Sequence, residues 1–245
     1  MKLRVERLNA WYGAARVLFD VEFGVEEGET VALVGRNGAG KTTVLRGLTG
    51  TGGVRRTGSV KVDDVETLGL EPNELAKLGV GLVPEGRRVF GELTVRENLD
   101  VAERLVGVGG GARRGRAGGN RWPRERVWQV FPMLERVQQT KARWLSGGEQ
   151  QILTIARALV SDPDVLLLDE PSEGLAPKAV ETLVDQLLTV RRSGVTIVLA
   201  EQHRRMVEAL ADKAYALERG AIVWRGEPSE LFERGRPGPW PIGSE

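Results

Sequence analysis

Two hydrophobic patterns alternate along this chain. Short apolar runs of Val, Leu and Ile, bounded by Gly, Pro or Asp, give way to longer stretches in which apolar residues return every three or four positions. The first suits strands buried on both faces, the second helices that bury one side. Thr30-Val31-Ala32-Leu33-Val34 reads as such a strand, and a helix is expected from Lys41, with Val44, Leu45 and Leu48 inward and Gly50 as its stop. Val165 to Leu168 and Val195 to Ala200 repeat the strand pattern. Ile152, Ile155, Ala156 and Leu159 mark the inner face of a helix ending near Ser161; others are expected from Pro177 to Ser193 and Gln202 to Ala211. Shorter strands are read at Leu3 to Leu8, Val17 to Val25, Val60 to Val65, Val80 to Pro84, Ala214 to Leu217 and Ile222 to Trp224. From Val95 to about Lys141 the chain turns helical and rich in Arg and Glu. Strands alternating with helices imply an α/β fold whose mostly parallel sheet is covered on both faces.

Two segments depart from these patterns. Gly107 to Arg121 combines glycines with Arg113, Arg114, Arg116 and Arg121 and no acidic residue, and is read as a mobile solvated loop. The tail from Arg234 to Glu245, with Pro237, Pro239 and Pro241, is expected to form little regular structure.

Composition narrows the chemistry. Lys+Arg 35 against Asp+Glu 34 leaves a net charge of +1, so no global field draws the chain to nucleic acid or an anionic membrane. Without cysteine, and with one histidine, thiol nucleophiles, Cys-ligated metals and a Ser-His-Asp triad are excluded or disfavoured. Carboxylates, lysine, hydroxyls and backbone are left to do the work. The first residues lack an apolar signal core, and no uncharged apolar run reaches the roughly eighteen residues of a membrane span, so a cytoplasmic chain is expected.

Three motifs carry that work. Gly35-Arg36-Asn37-Gly38-Ala39-Gly40-Lys41-Thr42, between a buried strand and a helix, fits a phosphate-binding loop. Its backbone N–H groups turn around an anion, Lys41 faces the terminal phosphates, and Thr42 offers a hydroxyl to Mg²⁺. Asp169 and Glu170 close the Val165 to Leu168 strand, where ligands sit in open α/β sheets: Asp169 to hold Mg²⁺, Glu170 to polarise the attacking water. Leu145-Ser146-Gly147-Gly148-Glu149-Gln150-Gln151 opens a helix and makes a second anion site. Because one nucleotide needs one phosphate loop, two such sites suggest that the second closes over the γ-phosphate of another copy.

In that order, these motifs resemble the ATP-binding cassette ATPases, and the resemblance covers nearly the whole chain. It implies a phosphate-loop NTPase core at 1–94 and 152–245 with an N-terminal antiparallel β subdomain, and an inserted helical subdomain at 95–151 bearing Ser146 to Glu149. ATP and Mg²⁺ are the implied cofactors, with residues Gly35 to Thr43 around the phosphates. Tyr12 matches the aromatic on which the family stacks adenine, with Trp11 as an alternative. Val83-Pro84-Glu85-Gly86-Arg87-Arg88-Val89-Phe90, Leu93 to Leu99, and Glu170-Pro171-Ser172-Glu173-Gly174-Leu175 are similar to the ATPase subunits of bacterial branched-chain amino acid importers; a urea-importer group shares part of this. Glu85 stands where most cassettes have Gln, beside the metal and the γ-phosphate. The family's switch histidine falls at Gln202, with His203 next, and Gln202 is taken as the γ-phosphate sensor. The implied partners are a second cassette, identical or a sister subunit, permease subunits, and indirectly a solute-binding protein, with the chain peripheral on the inner face of the membrane. No nucleic acid partner is expected: the other class, a nucleotide-dependent clamp on nucleic acid or ribosome, usually fuses two cassettes or carries a long coiled coil, and no long heptad array separates Lys41 from Asp169.

Overall fold

Continuous apolar runs have a consequence in a pleated strand: alternate side chains leave on opposite faces, so both faces need a core. The computed structural model, which describes residues 1–109 and 121–232, shows that division. In β7 (Val165–Asp169), Val165 and Leu167 join one hydrophobic cluster and Leu166 and Leu168 the other; in β8 (Thr196–Glu201), Val198 and Ala200 oppose Ile197 and Leu199. One cluster lies under α3 (Val95–Gly109), α4 (Arg124–Val130), α5 (Pro132–Arg136), α6 (Gly147–Leu159), α7 (Pro177–Arg192) and α8 (Arg204–Leu210). The other lies between the sheet, α1 (Lys41–Thr49) and an antiparallel sheet of β1 (Leu3–Tyr12), β2 (Ala15–Val25), β4 (Arg55–Val62) and β5 (Val65–Glu66).

The main sheet has six strands in the order β10-β9-β3-β8-β7-β6, formed by β3 (Thr30–Val34), β6 (Val80–Val83), β7, β8, β9 (Lys213–Glu218) and β10 (Ala221–Gly226). All neighbours pair in parallel except β9 with β10. The antiparallel sheet has the order β2-β1-β4-β5.

Several boundaries differ from the sequence reading. The expected strand Val60 to Val65 is a hairpin, because Asp63 and Asp64 take left-handed φ of 48° and 63° and turn β4 into β5. Two helices were not anticipated: α2 (Pro72–Lys77), started by a capping box between Glu71 and Glu74, and α9 (Pro228–Leu231). The helix expected from Gln202 begins at Arg204. In the segment read as a solvated loop, Gly107 to Gly109 continue α3, and Arg121 is fixed by hydrogen bonds to the Pro163 carbonyl and the Asp164 carboxylate. The rest of that segment and the Pro-rich tail lie outside the described residues. Among the described residues no helix is long and apolar enough to cross a membrane.

Candidate active site

In a parallel sheet every strand points its carboxyl end the same way, so residues just past neighbouring strands converge. The register aligns Val34 with Glu201, Ala200 with Asp169 and Leu168 with Val83. One edge therefore gathers the Gly35 to Gly40 loop after β3, Glu201 and Gln202 at β8, Asp169 and Glu170 at β7, and Glu85 beyond β6. A cleft of about 730 Å³ beside them is lined by Arg46, Glu85, Arg88 and Asp169 among others.

The loop enters α1 through Gly40, whose φ of 113° is open to glycine and strained for any other residue. No side chain caps α1 and its first turn has no acidic residue, so its N–H groups and its dipole face the loop. Lys41 is 2% exposed. Its Nζ donates to the Gly35 carbonyl at 2.6 Å and the Arg36 carbonyl at 3.3 Å, and pairs with Glu170 Oε1 at 2.9 Å. An ammonium has three protons, and these three acceptors match them. Thr42 Oγ1 donates to Asp169 Oδ1 at 3.0 Å, joining the loop to β7.

Glu170 itself is left-handed, φ 45°, a conformation that costs a non-glycine residue about 1 kcal/mol or more and concentrates at functional sites. Its N–H donates to the Ala200 carbonyl at 2.8 Å, and its carbonyl accepts the Glu173 N–H at 3.1 Å. Burial pushes the Asp169 carboxyl from 3.8 up to about 6; the Thr42 hydroxyl opposes this, Glu85 and Glu170 add to it, and Arg46 opposes it. Glu173 is also raised, by burial and by the facing Glu85 and Glu170 carboxylates. The edge is thus a concentration of carboxylates, with Lys41 and Arg46 among the cations facing them.

Comparison with known proteins names this arrangement. The ABC transporter family model matches residues 18–173. The chain is 40% identical over 230 residues to the high-affinity branched-chain amino acid transport ATP-binding protein BraG of Pseudomonas aeruginosa, covering 94% of each. It is 37% identical to the probable branched-chain amino acid transport ATP-binding protein LivF of Archaeoglobus fulgidus, again covering 94% of each. The chain belongs to the ABC transporter ATPases. Among solved structures it resembles, at 26% identity and a TM-score of 0.75, a dimeric ATP-binding cassette in a post-hydrolysis state bound to ADP and Pi, covering 92% of this chain and 98% of that one.

Within this ABC ATPase the structure brings the phosphate loop, Asp169, Glu170 and Glu85 together, and sets Ser146 to Glu149 apart. Among the described residues no hydrogen bond or ion pair joins the two groups. Ser146 caps α6 in a reciprocal box, its N–H donating to Glu149 Oε2 at 2.7 Å and its Oγ accepting the Glu149 N–H at 3.3 Å. Tyr12 is partly buried and its hydroxyl accepts from Arg46 Nη1 at 3.0 Å. Trp11 is engaged otherwise, with the Arg55 guanidinium 4.6 Å and that of Arg16 5.7 Å from its ring centre. Gln202 and His203 have exposed side chains, and both backbone N–H groups donate to Glu201 Oε1, at 2.7 and 2.9 Å.

Three site neighbours were given no role of their own in the sequence reading, although Arg87 stands within one of the quoted motifs. Arg46 follows Thr42 by one helical turn and so shares its face, a signal the spacing carried. Glu201 ends an apolar strand just as Asp169 does; it is 1% exposed and its other oxygen accepts the Ser172 N–H at 3.3 Å. Arg87 gave no such signal, because its partners are backbone carbonyls far along the chain.

Proposed function

We propose that this cassette powers an importer of branched-chain amino acids, with ATP held between the Gly35 to Thr43 loop of one cassette and Ser146 to Gly148 of an opposing one. The observation that carries the hydrolytic reading is the buried Lys41–Glu170 pair, 2.9 Å apart, beside the Thr42–Asp169 hydrogen bond. Arriving β- and γ-phosphates compete for the Lys41 ammonium, and Glu170, released from it, becomes the base that takes a proton from the attacking water. Arg36, Asn37, Gly38, Ala39, Gly40 and Thr43 contribute backbone around the phosphates. Adenine stacks on Tyr12, whose ring Arg46 holds by its hydroxyl. Gln202, with His203 beside it, offers a donor to the γ-phosphate.

Mg²⁺ fits the oxygen donors present. Thr42 Oγ1 and Asp169 would hold it, with Glu85 near enough to hold one of its waters. A cation is what the raised Asp169 carboxyl favours. Among the described residues no group of three or more acidic or His ligands forms a protein-only cage, in keeping with an ion that leans on waters and phosphate oxygens. When bound it neutralises charge on the terminal phosphates.

Import of branched-chain amino acids rests on the likeness to BraG and LivF. A second cleft, about 690 Å³ and lined by Pro84, Arg88, Val101, Ala102, Thr154 and Arg157 among others, suits a short helix of a permease. It lies between the core and residues 95–151, which act as a helical subdomain inserted between 1–94 and 152–245. That seat puts the cassette on the inner membrane surface, with a solute-binding protein supplying the permease. In purified protein, Glu170→Gln is expected to lower turnover about a hundredfold or more while MgATP affinity stays within about threefold. Turnover at the parent rate overturns the assignment.

A further inference from the structure

The strand ends do not account for Arg87. It follows Gly86 in a left-handed pair, φ 90° then 51°, that throws its side chain across to two distant segments. Nη2 donates to the carbonyls of Glu173 and Gly174, both at 2.8 Å. Nη1 lies over the first residue of α6, leaving no room there for a Cβ on Gly147; a Cβ on Gly174 would sit 2.8 Å from Nη2. One guanidinium is therefore wedged between the glycine that opens α6 and the glycine that ends the turn begun at Glu170. The turn gives it reach. Arg87 holds the Glu173 carbonyl, the Glu173 N–H holds the Glu170 carbonyl, and Glu170 is itself in a conformation that needs holding.

We propose that Arg87 is a positioning residue for hydrolysis, which fixes the Glu170 turn and the amino end of α6 in one register and ties both to the 85–90 segment. This rests on the proposed role of Glu170 as base and goes beyond it: Arg87 touches neither Glu170 nor the phosphate loop, and acts through the backbone of Glu173, whose carbonyl it holds and whose N–H holds the Glu170 carbonyl. A displacement of the 85–90 segment moves the guanidinium, and with it the turn and the helix end together. Planar geometry matters here, since one nitrogen serves two carbonyls while the other packs on Gly147, a task lysine performs only in part.

The test uses the full chain. Arg87→Ala is expected to lower kcat about tenfold, with KM and MgATP affinity within about twofold of the parent. The melting temperature stays within about 2 °C, because the side chain is only partly buried. Arg87→Lys recovers part of the loss, and hydrogen exchange of amides at 172–176 rises in Arg87→Ala while that of α1 does not. A kcat within about twofold of the parent overturns the proposal. So does a loss shared equally by kcat, affinity and melting temperature, which marks a general structural role. Glu170→Gln, run alongside, reports on the base separately: if it keeps full turnover the catalytic reading fails, whereas a silent Arg87→Ala beside a dead Glu170→Gln sinks only this inference.

Discussion

Asp169 is expected to cost the nucleotide-free cassette stability, and Asp169→Asn should recover it. The carboxyl is 4% exposed and is pushed up to about 6 by burial and by the Glu85 and Glu170 carboxylates. Raised from 3.8, it favours the protonated native state, so its contribution is fully present below about pH 4 and is lost as pH rises through about 6. At pH 7.5 the charged form is disfavoured by about 3 kcal/mol. Asparagine has nearly the same shape, keeps an oxygen for the Thr42 hydroxyl and carries no charge. After allowance for burying its amide, it should stabilise the apo protein by about 1–3 kcal/mol, or about 3–10 °C in melting temperature. Differential scanning calorimetry without nucleotide or Mg²⁺, at pH 7.5 and at pH 5, reads the effect, which should shrink by about half at the lower pH. The same variant should lose Mg²⁺-dependent ATP binding. An Asp169→Asn protein that melts no higher than the parent at pH 7.5, or gains as much at pH 5, refutes the argument.

Other outcomes follow from the same geometry. In the parent enzyme kcat/KM should fall below about pH 6, as the Asp169 carboxyl takes up the proton that a metal ligand must lose; a pH profile flat down to pH 5 contradicts this. Tyr12→Ala is expected to weaken ATP affinity by about 1–3 kcal/mol, the usual range for a base on an aromatic platform, whereas Tyr12→Phe loses only the Arg46 bond. Equal affinities for Tyr12→Ala and the parent in a fluorescent-nucleotide titration would remove Tyr12 from the site. Gln202→Ala should reduce turnover more than His203→Ala, and steady-state rates showing the reverse order transfer the sensor role to His203.

Much of this was legible in the sequence because the signals were local. A β-branched run, a glycine loop and a lysine at the helix start occur within Thr30 to Thr43, and the structure places them as β3, turn and α1. Asp169 was readable as the end of an apolar strand. What the sequence hid depends on contacts between distant segments. Arg121 looked solvated among glycines, yet Asp164 holds it from beyond α6. The turn at Asp63 and Asp64 was read through as strand, since aspartate signals a left-handed turn less strongly than glycine. The Lys41–Glu170 pair joins two residues each expected to face nucleotide, and nothing in their spacing says that they face each other. Arg87 is the extreme case, its partners being carbonyls that have no sequence signature.

The most direct check on the account is sedimentation velocity of Glu170→Gln, which is expected to bind ATP without consuming it, with and without saturating MgATP, alone and with a sister cassette. The account predicts a monomer without nucleotide and a species of two cassettes with it, reverting to monomer when Ser146 to Gly148 are altered. A single-cassette mass under every condition contradicts it.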